Sequence, residues 1–212
     1  MATLHWNGDN NTQLNHPHNY VDDGAGGSSQ IAGFTGGDPA NDDIILQSSG
    51  AANVVRQPTV NANVTFNSVW SDVGSTLTGN ASYSITIDGE RSGYALKILG
   101  ALGTNVNVII AEDSGTAITV ATSGAGGSLH DLTVNHADCV ATQFNTVTLA
   151  GDLTVTAGEW TTGSDRALTV TGDVSIADGG TLTGNASAIS LGSLTIASGG
   201  TYSATSGTTT IT

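Results

Sequence analysis

Two adjacent carboxylate pairs, Asp22-Asp23 and Asp42-Asp43, and a cluster of His136, Asp138 and Cys139 in the run Asn-His-Ala-Asp-Cys are the residues most able to do chemistry. From such types an acid–base dyad or a thiol nucleophile can be built. Glycoside hydrolysis needs two carboxyl groups about 5 to 9.5 Å apart around the scissile bond. Neighbours along an extended chain point to opposite faces. Both pairs also lie among Gly, Asn and Pro, where Asp caps its own backbone. A thiol nucleophile needs an oriented base and an oxyanion site, and nothing beside Cys139 supplies them. A lyase acting on acidic sugars would need cations, and Arg56, Arg91 and Arg166 are far apart in sequence.

Metal and ligand patterns fare no better. The runs 24–32 and 124–132 share glycine with the calcium-binding nonapeptide G-G-x-G-x-D-x-U-x but lack Asp at its required place. His16 and His18 flank Pro17, and with His5, His130 and His136 they show no ligand spacing. Trp6, Trp70 and Trp160 are dispersed, and Trp160 recurs as Leu182 and Tyr202 at a repeat corner, which favours packing over sugar stacking. The sequons at Asn63, Asn80 and Asn185 carry meaning only in an exported chain. No catalytic, cofactor-binding or metal-ligating residue is therefore named, and no cofactor is expected.

The elements that would position any site are strands. Only 10% of the 212 residues are charged, against about 25% in ordinary domains. Gly contributes 29 residues, and Thr, Ser, Ala, Asn and Val fill much of the rest. That composition suits pleated, half-buried surfaces and disfavours long helices. Four bases against 18 acids give a formal charge of −14, which argues against nucleic acid and anionic membranes as partners. The single cysteine permits no intrachain disulfide. The N-terminus lacks the basic and apolar regions of a secretory signal, and no run approaches a membrane span. Synthesis in a host cytoplasm without general export is expected.

A fixed repeat organises the remainder. The segments Leu132-Thr133-Val134, Leu153-Thr154-Val155, Val174-Ser175-Ile176 and Leu194-Thr195-Ile196 step by 21, 21 and 20. Beside them, Val147-Thr148-Leu149, Leu168-Thr169-Val170, Ile189-Ser190-Leu191 and Thr209-Thr210-Ile211 step likewise. Gly-Asp turns at 151–152 and 172–173 separate the two series. Upstream, Val64, Ile85 and Val106 extend the spacing of 21, and a step of 26 to Leu132 places an insertion near 123–128. The heptapeptide Thr-Leu-Thr-Gly-Asn-Ala-Ser occurs at 76–82 and 181–187, a separation of five periods. Alternating apolar and polar residues mark strands with one buried face, and stacked coils turn them into continuous apolar columns. A sandwich needs no fixed repeat, and a propeller blade needs about 40 residues. The expected fold is all-β: a parallel β-helix, or β-solenoid, of about 21 residues per coil over residues 61–212. Residues 1–60 hold all three prolines and read as an irregular cap or arm for attachment.

Within that arm, Trp6-x-Gly8, Asn19-Tyr20, Gly37-Asp38-Pro39 and Asp42-Asp43-Ile44-Ile45-Leu46 follow one another in order. This opening resembles a class of tailed-phage virion and bacterial surface proteins that begin with a W-x-G…N-W…G-x-P…D-x-V-x-I module and continue into a parallel β-helix. Tyr20 stands where the pattern has Trp. The resemblance covers about 50 residues. It implies a non-enzymatic virion protein, serving as capsid decoration, cement or fibre. Its implied partners are its own copies in a homotrimer, a major capsid or other virion protein, and a host surface glycan. A chain that stops on the strand 209–212 fits an end covered by such a partner. A bacterial surface adhesin fragment and a carbohydrate-active β-helix enzyme are the alternatives.

Overall fold

The computed structural model describes residues 3–6, 20–22, 43–46, 58–113, 115, 117–122, 128–164, 166–204 and 206–212. Every regular element among them is a strand. Parallel strands stack about 21 residues apart into a β-solenoid of about seven turns, the architecture read from the repeat. No helix among the described residues is long and apolar enough to cross a membrane.

Each coil contributes strands to three faces. On the first face, Val64–Phe66, Ser84–Ile87, Asn107–Ile110 and the stretches 132–134, 153–155, 174–176 and 194–196 pair in parallel, one above the other. The inward residues form two columns. Val64, Ile85, Val108, Leu132, Leu153 and Val174 make one, and Phe66, Ile87, Ile110, Val134, Val155 and Ile176 the other. All twelve are at most 3% exposed. Burying such a side chain contributes about 1.5–3 kcal/mol, so the columns, not any single coil, hold the rod together. Between them point Thr65, Thr86, Thr133, Thr154 and Ser175, which are half-buried.

The second face is built from Asp43–Leu46, Ser68–Ser71, Tyr94–Ile98, Ala117–Ala121 and the stretches 140–143 and 159–161, then Gly180–Asn185 and Thr201–Ala204. Asp43–Leu46 lies upstream of residue 61 yet pairs in parallel with Ser68–Ser71. Thr3–Trp6 adds a further parallel strand to it and pairs antiparallel with Tyr20–Asp22. The third face carries Thr76–Leu77 against Ala101–Leu102. In later coils it carries Val147–Leu149, then 168–170, 189–191 and Thr209–Ile211.

The structure moves one register. Ile85 pairs with Val108, not Val106, and Val108 with Leu132. The steps are thus 23 and 24, in place of the expected 21 and 26. A shift of two keeps the apolar residues facing inward, so alternation alone does not distinguish the registers. Val106 is also buried, and the Asn107 amide donates to the Tyr83 carbonyl at 3.0 Å, anchoring the corner before the strand.

The Gly-Asp turns form a ladder of their own. Asp131 Oδ1 accepts the Asp152 amide at 2.9 Å, Asp152 Oδ1 accepts the Asp173 amide at 2.8 Å, and Asp173 Oδ1 accepts the Ser193 hydroxyl at 2.7 Å. The glycine is required by what lies beneath it. A Cβ on Gly172 would stand 2.1 Å from Asp152 Oδ1, and one on Gly151 2.1 Å from Asp131 Oδ1.

Candidate functional site

On the outer side of the second face the stack departs from its period. Trp70 pairs directly with Lys97 in the next coil, 27 residues later. The extra length forms a tight hairpin at 91–94. Arg91 and Tyr94 exchange backbone hydrogen bonds of 2.9 and 3.0 Å across Ser92 and Gly93. Both central residues have positive φ, 49° and 82°, the backbone of a two-residue turn matched to strand twist. The Glu90 carboxylate accepts the Gly93 amide and fixes the tip.

This hairpin delivers two side chains to the row that Trp70 and Lys97 occupy. The Lys97 ammonium sits 4.4 Å from the Trp70 ring centre and 4.9 Å from that of Tyr94. The Arg91 guanidinium carbon lies 5.0 Å from the Trp70 ring. Trp70 meets Tyr94 edge-on at 5.8 Å, and Tyr94 meets Phe144 at 6.1 Å. Cations over aromatic faces gain about 0.5–1 kcal/mol at exposed sites. Phe144 is 55% exposed, while Trp70, Arg91, Tyr94 and Lys97 are half-buried. Two of the chain's four basic residues therefore share one aromatic patch on a molecule of charge −14.

Beneath the patch, Asp43 is 6% exposed. Its Oδ1 accepts Asn67 Nδ2 at 2.7 Å and Ser68 Oγ at 2.6 Å, and Oδ2 lies 3.9 Å from Arg91 Nε. Asn67 also donates to the Glu90 carbonyl at 2.9 Å. This carboxylate is spent on joining three coils and orienting Arg91. Trp70 Nε1 and Arg91 Nη1 are buried donors with no hydrogen-bond acceptor among the described residues.

The residues first singled out for chemistry are placed differently. Asp23 and Asp42 lie outside the described residues, as do His16 and His18. Cys139 is buried in the core. Burial, and then the nearby Glu112 charge, push its thiol from 9.0 up to about 12. At neutral pH it is a protonated thiol, unsuited to attack. His136 Nδ1 accepts the Asp138 amide at 3.3 Å, a local turn contact. Among the described residues no group of three His, Cys, Asp or Glu could hold a metal ion. Trp160 is fully buried and pairs with Leu182, which pairs with Tyr202. It packs as expected, but within a strand and not at a corner.

Sequence reasoning missed the patch. It left Trp70 as one of three dispersed tryptophans and treated the arginines as scattered. A step of 27 hides the pairing of Trp70 with Lys97 from a search at 21. The usable signal was Ser92-Gly93, a turn dipeptide flanked by Arg91 and Tyr94.

Of the opening module, Gly8, Asn19 and Gly37-Asp38-Pro39 lie outside the described residues. The backbone of the remainder converges, since Trp6 is in register with Tyr20 on one side and Leu46 on the other. No protein-family model, no curated protein and no solved structure matches this chain.

Proposed function

We propose that this chain is a non-enzymatic structural protein of a tailed-phage particle, a capsid decoration or fibre component that works as a stiff spacer. The observation carrying this reading is the unbroken parallel stack. About seven coils at ~4.8 Å each make a rod of roughly 34 Å. A rod held by continuous ladders resists bending and local opening. The order of the opening residues supports the particle assignment, with Trp6, Tyr20 and Leu46 brought into one register. Two chemical candidates are engaged structurally: Cys139 as a buried thiol and Asp43 as a three-coil anchor.

In this reading the chain assembles as a homotrimer on a major capsid protein or another virion protein. A surface adhesin on the same rod is the second reading, favoured by the exposed aromatic and cationic patch. The test is solution mass by light scattering, followed by co-sedimentation with purified shells. A trimer that pellets with shells is the expected result. A monomer that stays in the supernatant at every protein-to-shell ratio would sink the particle role.

A further inference from the structure

We infer that the patch formed by Trp70, Arg91, Tyr94, Lys97 and Phe144 is a binding site for an acidic polysaccharide, one whose sugar rings carry carboxylates. The inference does not depend on the particle assignment.

Charge is the first argument. Phosphate- or DNA-scale binding needs many cations, and this chain has four in all. Two of them are held against the one Trp70 ring here, and no described carboxylate pairs with Lys97. Arg91 is oriented from below by Asp43 Oδ2 at 3.9 Å, with Glu90 adjacent in the chain. That arrangement suits one carboxylate per sugar, not a polyphosphate.

Shape is the second. Tyr94, at the start of its strand, and Phe144, at the bend just after the strand that ends at Gln143, present ring surface. An aromatic ring offers an apolar face of negative quadrupole and a positive edge, against which the C–H side of a sugar ring packs. A peptide bound by strand addition would need a free strand edge. Here Tyr94–Ile98 is already paired on both sides, with Ser68–Ser71 and Ala117–Ala121. The row also runs across coils, so a polymer can lie along it and meet Lys97 and Phe144 with successive rings.

Construction is the third. The hairpin 91–94 departs from the period and places both Arg91 and Tyr94 on the patch. The rod needs no such hairpin, since the described residues of the later coils show no antiparallel pairing.

The test is affinity electrophoresis of the full chain in gels holding polygalacturonate, its fully methyl-esterified form, or dextran, with oligothymidylate as a competitor. Lys97→Met keeps the apolar stem and removes the charge, and Phe144→Ala removes an exposed ring, so both should fold, with a melting midpoint lowered by no more than a few degrees. Expected is retardation by polygalacturonate alone, weakened at least about fivefold in each variant and insensitive to oligothymidylate. Equal retardation by the esterified polymer or dextran would overturn the acidic specificity. No retardation, undiminished retardation of both variants, or displacement by oligothymidylate would overturn the site. Light scattering and shell sedimentation read the particle role separately, so either idea can fail alone.

Discussion

The coils from residue 132 onward and those before it obey the same stacking rule with different discipline. On the first face the later coils step by 21, 21 and 20, whereas the two steps around Asn107–Ile110 are 23 and 24. The later coils spend their corners on the Asp131, Asp152 and Asp173 ladder and their interior on Leu, Val, Ile and Trp160. Both parts bury polar groups, Gln143, Thr162 and Ser187 in the later coils and a larger set in the earlier ones: Asp43, Asn67, Ser68, Ser71, Ser75, Asn107 and Glu112. The earlier coils also hold the hairpin and four of the five patch residues, with Phe144 supplied by the first of the later coils. Uniform repetition serves the rod, and individuality enters where residues are added between strands that must still pair. A solenoid tolerates this because each coil needs only its neighbours, and extra residues leave at corners while the inward columns stay aligned.

That contrast can be broken most forcefully in the regular half. Trp160→Ala should cost about 3–5 kcal/mol in urea unfolding, because the cavity it leaves is walled by rigid strands. A loss below 1 kcal/mol would mean the later coils repack freely. In the earlier half, Asn67→Ala should cost about 1–3 kcal/mol, since Asp43 and the Glu90 carbonyl lose a donor while buried. It should also weaken acidic polysaccharide binding by releasing Arg91.

The buried thiol gives a pH signature in the later half. Its folded value of about 12 lies above the ordinary 9.0, so the folded state holds the proton more tightly. Its stabilising contribution is full below pH 9 and lost as pH rises toward 12. Melting midpoints of wild type should fall over that window more than those of Cys139→Ala, and a parallel fall in both would remove Cys139 as the cause. A subtler change is Gly151→Ala, whose Cβ would crowd the Asp131 carboxylate and the His130 ring. A cost of about 1 kcal/mol is expected, and Asp131→Ala should cost a similar amount. The double variant should cost less than the two combined, because both break the bond to the Asp152 amide. Lys97→Met stands last, at about 0.5–1 kcal/mol for the lost cation contacts over Trp70 and Tyr94.

Much of the fold was legible because alternation and period are properties of the chain itself. The series Leu132, Leu153, Val174 and Leu194 fell on paired positions, and so did Val147, Leu168, Ile189 and Thr209. Legibility failed where geometry allowed two answers. Val106 and Val108 have the same parity, so only the corner contacts of Asn107 select between them. The repeated heptapeptide shows the same limit. Its first copy places Leu77 on the third face and its second places Leu182 on the second face, although 105 residues separate them. Both leucines are buried and both copies leave their strand near the Gly-Asn pair. Local sequence specifies a strand followed by a corner, and the neighbouring coils decide which side of the rod receives it. The patch was hidden for a related reason. Its members are neighbours only after a hairpin has absorbed the residues that put Lys97 out of phase with Trp70.

The aspartate ladder also gives the rod a direction in time. Each carboxylate belongs to an earlier coil and receives a donor from a later one, 20 or 21 residues downstream. During synthesis the acceptor is therefore in place before its donor leaves the ribosome. Each finished coil is a template for the next, and assembly can run as a one-way zipper without waiting for the complete chain.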